Sequence, residues 1–436
     1  MNHTITYLPK SEVEIRVVIV PQEFEPHLKR AAVLLSEEHN IEGFRRGKAP
    51  YDIVKGKFGE MAIYERAAEI VVRKTYPEAL DALTKEGKIS SDTPPIGKPD
   101  VSVTKLAPGN EMQYVVKVAL LPHVELPDYR AIAMRIVKEK HAVTVEDTEV
   151  KKALEWLRES RSERVAVARP AKEGDAVEVD FEIRHDGVKI EHGDSRNHPV
   201  VIGKGKFLPG FEDALIGMKE GEEKSFSLVA PFNWHEKSLA GKALDMKVVM
   251  KGVKERRLPE FDDEFVKRMG NFDSLDALKK NIREGMAQEK EEKEKERVRV
   301  LAIEAIAKDV AVELPEVLVA AELKKMFSEL ETGVVRMGMR LEEYLRHIKK
   351  TAEDLEKEWR DQAENRVRVA LCLREIARRE RIEPSREEIE ARANEFLRSF
   401  KSADDAEKTI DPGELYEYSR GVVRNEKVFE FLEKHE

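Results

Sequence analysis

Between Glu163 and Arg256 the chain changes period, and that change constrains its architecture more than any other feature. Val177, Val179, Phe181 and Ile183 alternate with Glu178, Asp180 and Glu182, and the run Met246–Met250 repeats the pattern more briefly. Period two is the signature of half-buried strands. Turn signals punctuate it at Asp186-Gly187, Gly203-Lys-Gly205 and Gly217-Met-Lys-Glu-Gly221, and Gly210–Gly217 is long enough for one helix of two turns. The flanks repeat with the period of helices. A chain of 436 residues exceeds one ordinary core, so two to three domains are expected, with an all-β unit placed in the chain order of the others.

The first flank reads as α+β. Val13, Ile15, Val17 and Ile19 alternate as a strand does. Phe24, Leu28, Ala31, Ala32 and Leu35 follow at helical spacing, in a helix ending near His39-Asn40. A longer helix is predicted from about Glu60 to Lys85. Pro94-Pro95 and Gly97 separate it from a strand pair, Val101–Leu106 and Met112–Leu121, joined at Pro108-Gly-Asn110. Residues 125–162 read as a linker: an extended piece over Ala131–Glu139, then a helix with Val150, Leu154 and Leu157 on one face and a start signal at Thr144–Asp147. From Leu258 the chain reads as helices, with Pro315 at one start and a capping box, Ser385 with Glu388, at another. Glu289–Arg297 is wholly charged with interleaved signs, which predicts a solvated helix face held by i,i+4 pairs. The boundaries drawn are 1–124, 125–162, 163–256 and 257–436.

Composition excludes several classes. The formal net charge of -9 argues against a protein that coats nucleic acid along its length, so any RNA contact must come from a local basic patch. The single cysteine, Cys372, cannot close an intramolecular disulfide, and its apolar setting predicts a buried structural thiol. The opening Met1–Pro9 has no basic-then-apolar signal pattern, and no apolar run approaches the ~20 residues of a membrane helix. A cytoplasmic location with no membrane partner is expected.

The stretch Gly43-Phe44-Arg45-Arg46-Gly47-Lys48-Ala49-Pro50 lies between two helices. Glycine permits a tight projecting loop, and Pro50 pre-sets the backbone where the chain turns back. Such a loop is either an ordinary solvated turn with Phe44 folded onto the helices, or a docking tip. In a docking tip the arginines would fork onto phosphate and the phenylalanine would stack or bury. The octapeptide resembles the ribosome-docking signature of trigger factors, Gly-Phe-Arg-x-Gly-Lys-x-Pro, with Arg46 at the variable position. The similarity runs along the whole chain. It implies an N-terminal α+β ribosome-binding domain, an FKBP-like antiparallel β domain with a short helix, and an all-α C-terminal chaperone domain. It further implies that Phe44, Arg45 and Arg46 contact large-subunit protein and RNA beside the tunnel exit.

Residues 163–256 resemble an FKBP-type peptidyl-prolyl isomerase, most clearly in Gly203-Lys-Gly-Lys-Phe-Leu-Pro-Gly-Phe-Glu-Asp-Ala-Leu215 and Gly217-Met-Lys-Glu-Gly-Glu-Glu223. Carried onto this chain, the resemblance implies a pocket of Phe181, Ile190, Phe207, Leu208, Phe211 and Trp234, with Met246 opposite and Glu191 at the rim. His198 falls where the family often has an aromatic residue, and Met246 where it commonly has phenylalanine. The reaction needs neither cofactor nor metal. His185, His192, His198 and His235 lack a tight ligand pair and a cysteine partner. Ser195 near His192 and His198 lacks a nucleophile-elbow context.

After Leu258, stripes such as Val298/Leu301/Ala305 and Leu318/Ala321/Leu323/Met326/Phe327 fit helix packing. The resemblance adds that these helices form a body with arms that cradle nascent and unfolded polypeptides. Met326, Met337 and Met339 suit such a surface because methionine repacks against varied partners. The same resemblance admits a homodimer off the ribosome. A plain folding enzyme or a non-catalytic adaptor would have no use for the cationic, aromatic tip.

Overall fold

The structure, a computed structural model, describes the chain apart from residues 206, 233–238, 271, 399–410 and 435–436 and the side chains of Glu191 and His192. It forms two compact units, Met1–Lys140 with Lys295–Glu436, and His141–Glu294.

The first unit opens with β1 (Asn2–Leu8), β2 (Glu12–Ile19), α1 (Pro21–Glu38), α2 (Tyr51–Phe58), α3 (Glu60–Lys85), β3 (Pro95–Lys105) and β4 (Met112–Leu120). The strands make one antiparallel sheet in the order β1-β2-β4-β3. Val13, Ile15, Val17 and Ile19 turn to one face with Tyr114, Val116 and Val118, and α3 covers them with Ile63, Ala67 and Val71. Inside this core the Tyr114 hydroxyl and Thr75 Oγ1 are 2.7 Å apart, so neither is left unpaired. β1 and α2 escape the sequence pattern. β1 is an edge strand with no fully buried side chain, and α2 buries only Val54.

Residues 129–138 correct the sequence reading. The stretch taken as extended is α4 (Tyr129–Lys138), capped by Asp128, which accepts the Ala131 N–H at 3.1 Å. Ile132, Met134 and Ile136 mimic period two, but the buried pair is Tyr129 and Ala133, one helical turn apart. With Val124 they pack on Ile303, Ile306, Leu371, Ile376 and Val428.

The second unit contains α5 (Asp147–Ser160), β5 (Glu163–Ala166), β6 (Ala176–His185), β7 (Val188–Val201), α6 (Phe211–Leu215), β8 (Glu223–Val229), β9 (Ala243–Arg257) and α7 (Asp263–Met269). Glu146 and Glu149 cap α5, whose Val150 and Leu154 pack on Phe265, Val266 and Leu278. The sheet is antiparallel in the order β5-β9-β6-β7, with β8 on β9. α6 is shorter than the two turns expected, because Ile216 is already extended and Gly217 has φ +86°.

Near the start of this sheet Asp175 is buried and takes both forks of Arg169, at 2.6 and 3.0 Å, plus the Lys172 N–H at 2.9 Å. Burial pushes the Asp175 carboxyl up, but the Arg169 guanidinium and the Lys172 N–H outweigh it and hold the pKa below the ordinary value. Stability from a depressed carboxyl is present above the unfolded pKa, about 3.9, and is lost as pH falls through the folded value. Asp175→Asn is expected to destabilise the domain modestly near neutrality, because the half-buried Arg169 loses its forked partner and keeps only Glu255 at 3.1 Å. Thermal melts of the two proteins should converge as the pH is taken below the aspartate range.

α8 (Leu275–Lys308) belongs to both units. Its charged tract is mostly solvated, with Lys293 on Glu289 as an i,i+4 pair. Several residues depart from that reading: Glu294 is buried and accepts the His141 N–H at 2.7 Å, Lys290 binds Glu149 at 2.7 and 2.8 Å, and Lys295 reaches Glu433 at 3.6 Å.

The first unit is completed by α9 (Glu316–Arg336), α10 (Leu341–His347), α11 (Ala352–Arg379), α12 (Arg386–Leu397) and α13 (Pro412–Glu433). Ser385 and Glu388 do form the capping box at the start of α12. Cys372 is fully buried on α11, and burial pushes its thiol up to about 11, so it is inert at neutral pH. Met326 is core, beside Val319 and Leu323, whereas Met337 and Val335 are each 61% exposed.

Candidate functional sites

The Gly43–Pro50 loop is pinned at both ends and free between them. Ile41 and Ala49 are buried in the sheet-and-helix core, while Glu42 through Arg46 and Lys48 lie exposed. Two tight turns shape it: the Phe44 N–H donates to Ile41 O at 3.1 Å, and the Lys48 N–H to Arg45 O at 2.9 Å. The Gly47 N–H donates to Ser36 O at 3.0 Å, tying the loop to the last turn of α1. Gly47 has φ +74°, a conformation that favours glycine, and a Cβ there would press on the exposed Glu37 side chain at 2.7 Å. Pro50 is the N-cap of α2. On the same helix Lys57 Nζ donates to Asn40 O at 2.6 Å and braces the base. Phe44 is 38% exposed, and Arg45, Arg46 and Lys48 have no ion-pair partner among the described residues. The result is a cationic, aromatic tip on a rigid base.

The second site is a cluster of rings on the sheet of the second unit. Phe181 meets His198 (5.3 Å between centroids), Phe207 (5.2 Å) and Phe211 (6.0 Å), all edge-on. Phe207 and Phe211 are 4.4 Å apart, and Phe226 on β8 lies 6.0 Å from Phe211. Phe181, Leu208, Phe211 and Met246 are buried and form the floor, whereas Ile190, His198 and Phe207 are half-buried at the lip. β6 delivers Phe181, and the turn Leu208–Gly210, with Gly210 at φ +88°, swings Phe211 onto it. The Glu212 carboxylate accepts the Gly205 N–H at 2.8 Å and fixes that turn.

His198 thus supplies a ring where the sequence comparison noted a departure. Ser195 Oγ stands 3.4 Å from His198 Nδ1, a loose pair three residues apart on one strand. His185 faces elsewhere, its Nδ1 at 2.9 Å from Ala243 O. Glu191 lies on β7, but its side chain falls outside the described residues, as do Trp234 and His235 entirely and the His192 side chain. Phe226 was missed, although Lys224-Ser-Phe-Ser-Leu228 carries the period-two signal that could have found it. Among the described residues no three His, Cys, Asp or Glu side chains gather as metal ligands. The chemistry on offer is a dry aromatic wall.

Comparison with known proteins covers nearly the whole chain. The family model of bacterial trigger factor protein matches residues 1–157, that of FKBP-type peptidyl-prolyl cis-trans isomerase residues 167–251, and that of the bacterial trigger factor protein C-terminus residues 274–434. The chain is 33% identical to the trigger factor of Halalkalibacterium halodurans, over 92% of this chain and 91% of that one. It is 32% identical to the trigger factor of Moorella thermoacetica, over 100% and 95% respectively. A solved structure of a trigger factor chaperone, reported for promiscuous substrate recognition in folding and assembly, superposes with a TM-score of 0.53 at 22% identity, covering both chains fully. That last likeness is one of fold.

Proposed function

This chain belongs to the trigger factor family, ribosome-associated chaperones with an FKBP-type peptidyl-prolyl isomerase domain, and we propose that its docking and catalytic work fall to the two sites above. Phe44, Arg45, Arg46 and Lys48, shaped by Gly43, Gly47 and Pro50, contact large-subunit protein and RNA near the tunnel exit. The observation that carries this reading is the free charge of three cations beside an exposed phenyl ring, on a loop whose ends are buried. Guanidiniums match phosphate in forked geometry. A net charge of -9 leaves such a local patch as the means of meeting RNA.

The isomerase pocket is Phe181, Ile190, Phe207, Leu208, Phe211 and Met246, to which the family pattern adds Glu191 and Trp234. Rotation about an X–Pro bond faces a barrier of ~20 kcal/mol because the planar amide is conjugated. A dry aromatic wall holds the twisted, less polar amide better than the planar one, and that differential binding is the catalysis. No proton need move.

Residues 257–436, with the linker 125–162, supply the cradle for nascent chains. Val335 and Met337 at the end of α9, each 61% exposed, support that assignment. The working compartment is the cytoplasm. Off the ribosome two copies pair through the same apolar surfaces, which sedimentation of the isolated protein tests.

The division of labour has its own test. Replacing residues 163–256 with a short flexible linker is expected to abolish isomerase activity and keep most suppression of aggregation. Light scattering of a refolding client without slow proline steps reads the second quantity. Loss of suppression with the helices intact by circular dichroism would move client binding into the isomerase domain.

A further inference from the structure

One end of the isomerase sheet carries an arrangement that stability does not explain. Arg164 on β5 stands directly opposite Arg256 on β9, and like charges in that position weaken a sheet. The lysines nearby are neutralised, Lys254 by Glu178 at 2.6 Å and Lys204 by Glu159. Arg164 has no hydrogen-bond or ion-pair partner among the described residues, and Arg256 has only the Ser162 hydroxyl, 3.4 Å from its Nε. From α5, Trp156 joins them while leaving 69% of its surface in water. These three line a groove of about 440 Å³, which Pro199, His198 and Phe207 also line. His198 and Phe207 are members of the aromatic cluster as well, so groove and pocket share a wall.

We propose that this groove is a second client subsite, in which Trp156 packs on an apolar client residue while Arg164 and Arg256 bind an acidic side chain about seven residues from the isomerising proline. It rests on the reading of the aromatic cluster as the prolyl pocket. The strand order β7-β6-β9-β5 sets the spacing. Three inter-strand steps of ~4.8 Å separate the His198 wall from Arg164 across the sheet, and the register sets them a further five residues apart along the strands, ~17 Å; the ~22 Å between them is what an extended chain covers in about seven residues. Two unneutralised guanidiniums on one face present a fork suited to a carboxylate.

The test uses the full-length protein and a series of single-proline peptides. Glutamate or lysine is placed one to nine residues from the proline on either side, and isomerisation is read by NMR exchange. At the matching position kcat/KM should favour glutamate over lysine about fivefold, an effect of the size exposed ion pairs give, and should decline with salt. In Arg164→Gln/Arg256→Gln the ratio should fall to one, while the melting temperature holds or rises because a repulsion has been removed. Trp156→Ala should raise KM for the long peptides about tenfold with kcat retained, the scale of one lost aromatic contact. A ratio that is flat along the series, or unchanged in the double variant, overturns the proposal. So does a single-stranded RNA hexamer whose binding is lost in the double variant while the peptide ratio is untouched. Phe211→Ala separates the two readings: turnover that survives there with the charge effect intact would sink the prolyl pocket and leave the groove.

Discussion

Phe44→Ala/Arg45→Ala/Arg46→Ala is expected to abolish co-sedimentation with vacant ribosomes while leaving the circular dichroism spectrum and melting temperature unchanged. All three side chains lie outside the core, whereas the loop is anchored by Ile41, Ala49 and the Gly47–Ser36 hydrogen bond. Losing an aromatic and two arginines from the centre of an interface should weaken binding by at least ~100-fold, since such residues are the usual hot spots. Salt gives an independent reading. If Arg45 and Arg46 meet phosphates, the slope of log K against log salt should flatten by about 1.4, at roughly 0.7 per neutralised phosphate of single-stranded RNA. A triple variant that pellets like the wild type would remove the loop from the docking surface. A loss with unchanged salt slope would assign the contact to protein rather than RNA.

In the isomerase domain, Phe211→Ala should reduce kcat/KM for a short prolyl peptide by about 100-fold, because binding energy realised in the twisted state is what accelerates rotation. Phe211 is fully buried and touches Phe181, Phe207 and Phe226, so its loss opens the pocket floor. The same burial means the variant should lose about 3–5 kcal/mol of domain stability. Phe207→Ala, at the half-buried lip, keeps the test clean: it should cost less stability and still lower activity about tenfold. If proline-limited refolding of a client runs as fast with both variants as with wild type, the ring cluster is not where rotation occurs.

How much of this was legible depended on whether the signal was local. α3 came out at Glu60–Lys85 as read, because a long helix with one apolar face repeats its period many times. The octapeptide was visible because its glycines, cations and proline are neighbours in sequence. α4 was misread because Ile132, Met134 and Ile136 alternate by chance of composition, and only Asp128 and the burial of Tyr129 with Ala133 decide for a helix. β1 was invisible because an edge strand needs little apolar surface. In the ring cluster Phe181, Phe207, Phe211 and Met246 were found through the family pattern, whereas Phe226, on a strand whose period-two signal was passed over, joins them through its register with Met246. The facing arginines, Arg164 and Arg256, were beyond sequence reasoning altogether, since cross-strand pairing alone brings them together.

The packing of Val124, Tyr129 and Ala133 against Val428 has a consequence for the birth of the molecule itself. Synthesis is vectorial, and these side chains leave the ribosome about 300 residues before their last partner; at 5–20 residues per second that is an interval of roughly 15–60 s. Throughout it the apolar face of α4 lacks the last part of its cover, and the intervening all-β unit can complete its own fold first. For that interval a protein that shelters unfinished chains is one of them, with a hydrophobic surface awaiting its own carboxyl-terminal helices. Older copies already seated at the ribosome are the obvious guardians of the next.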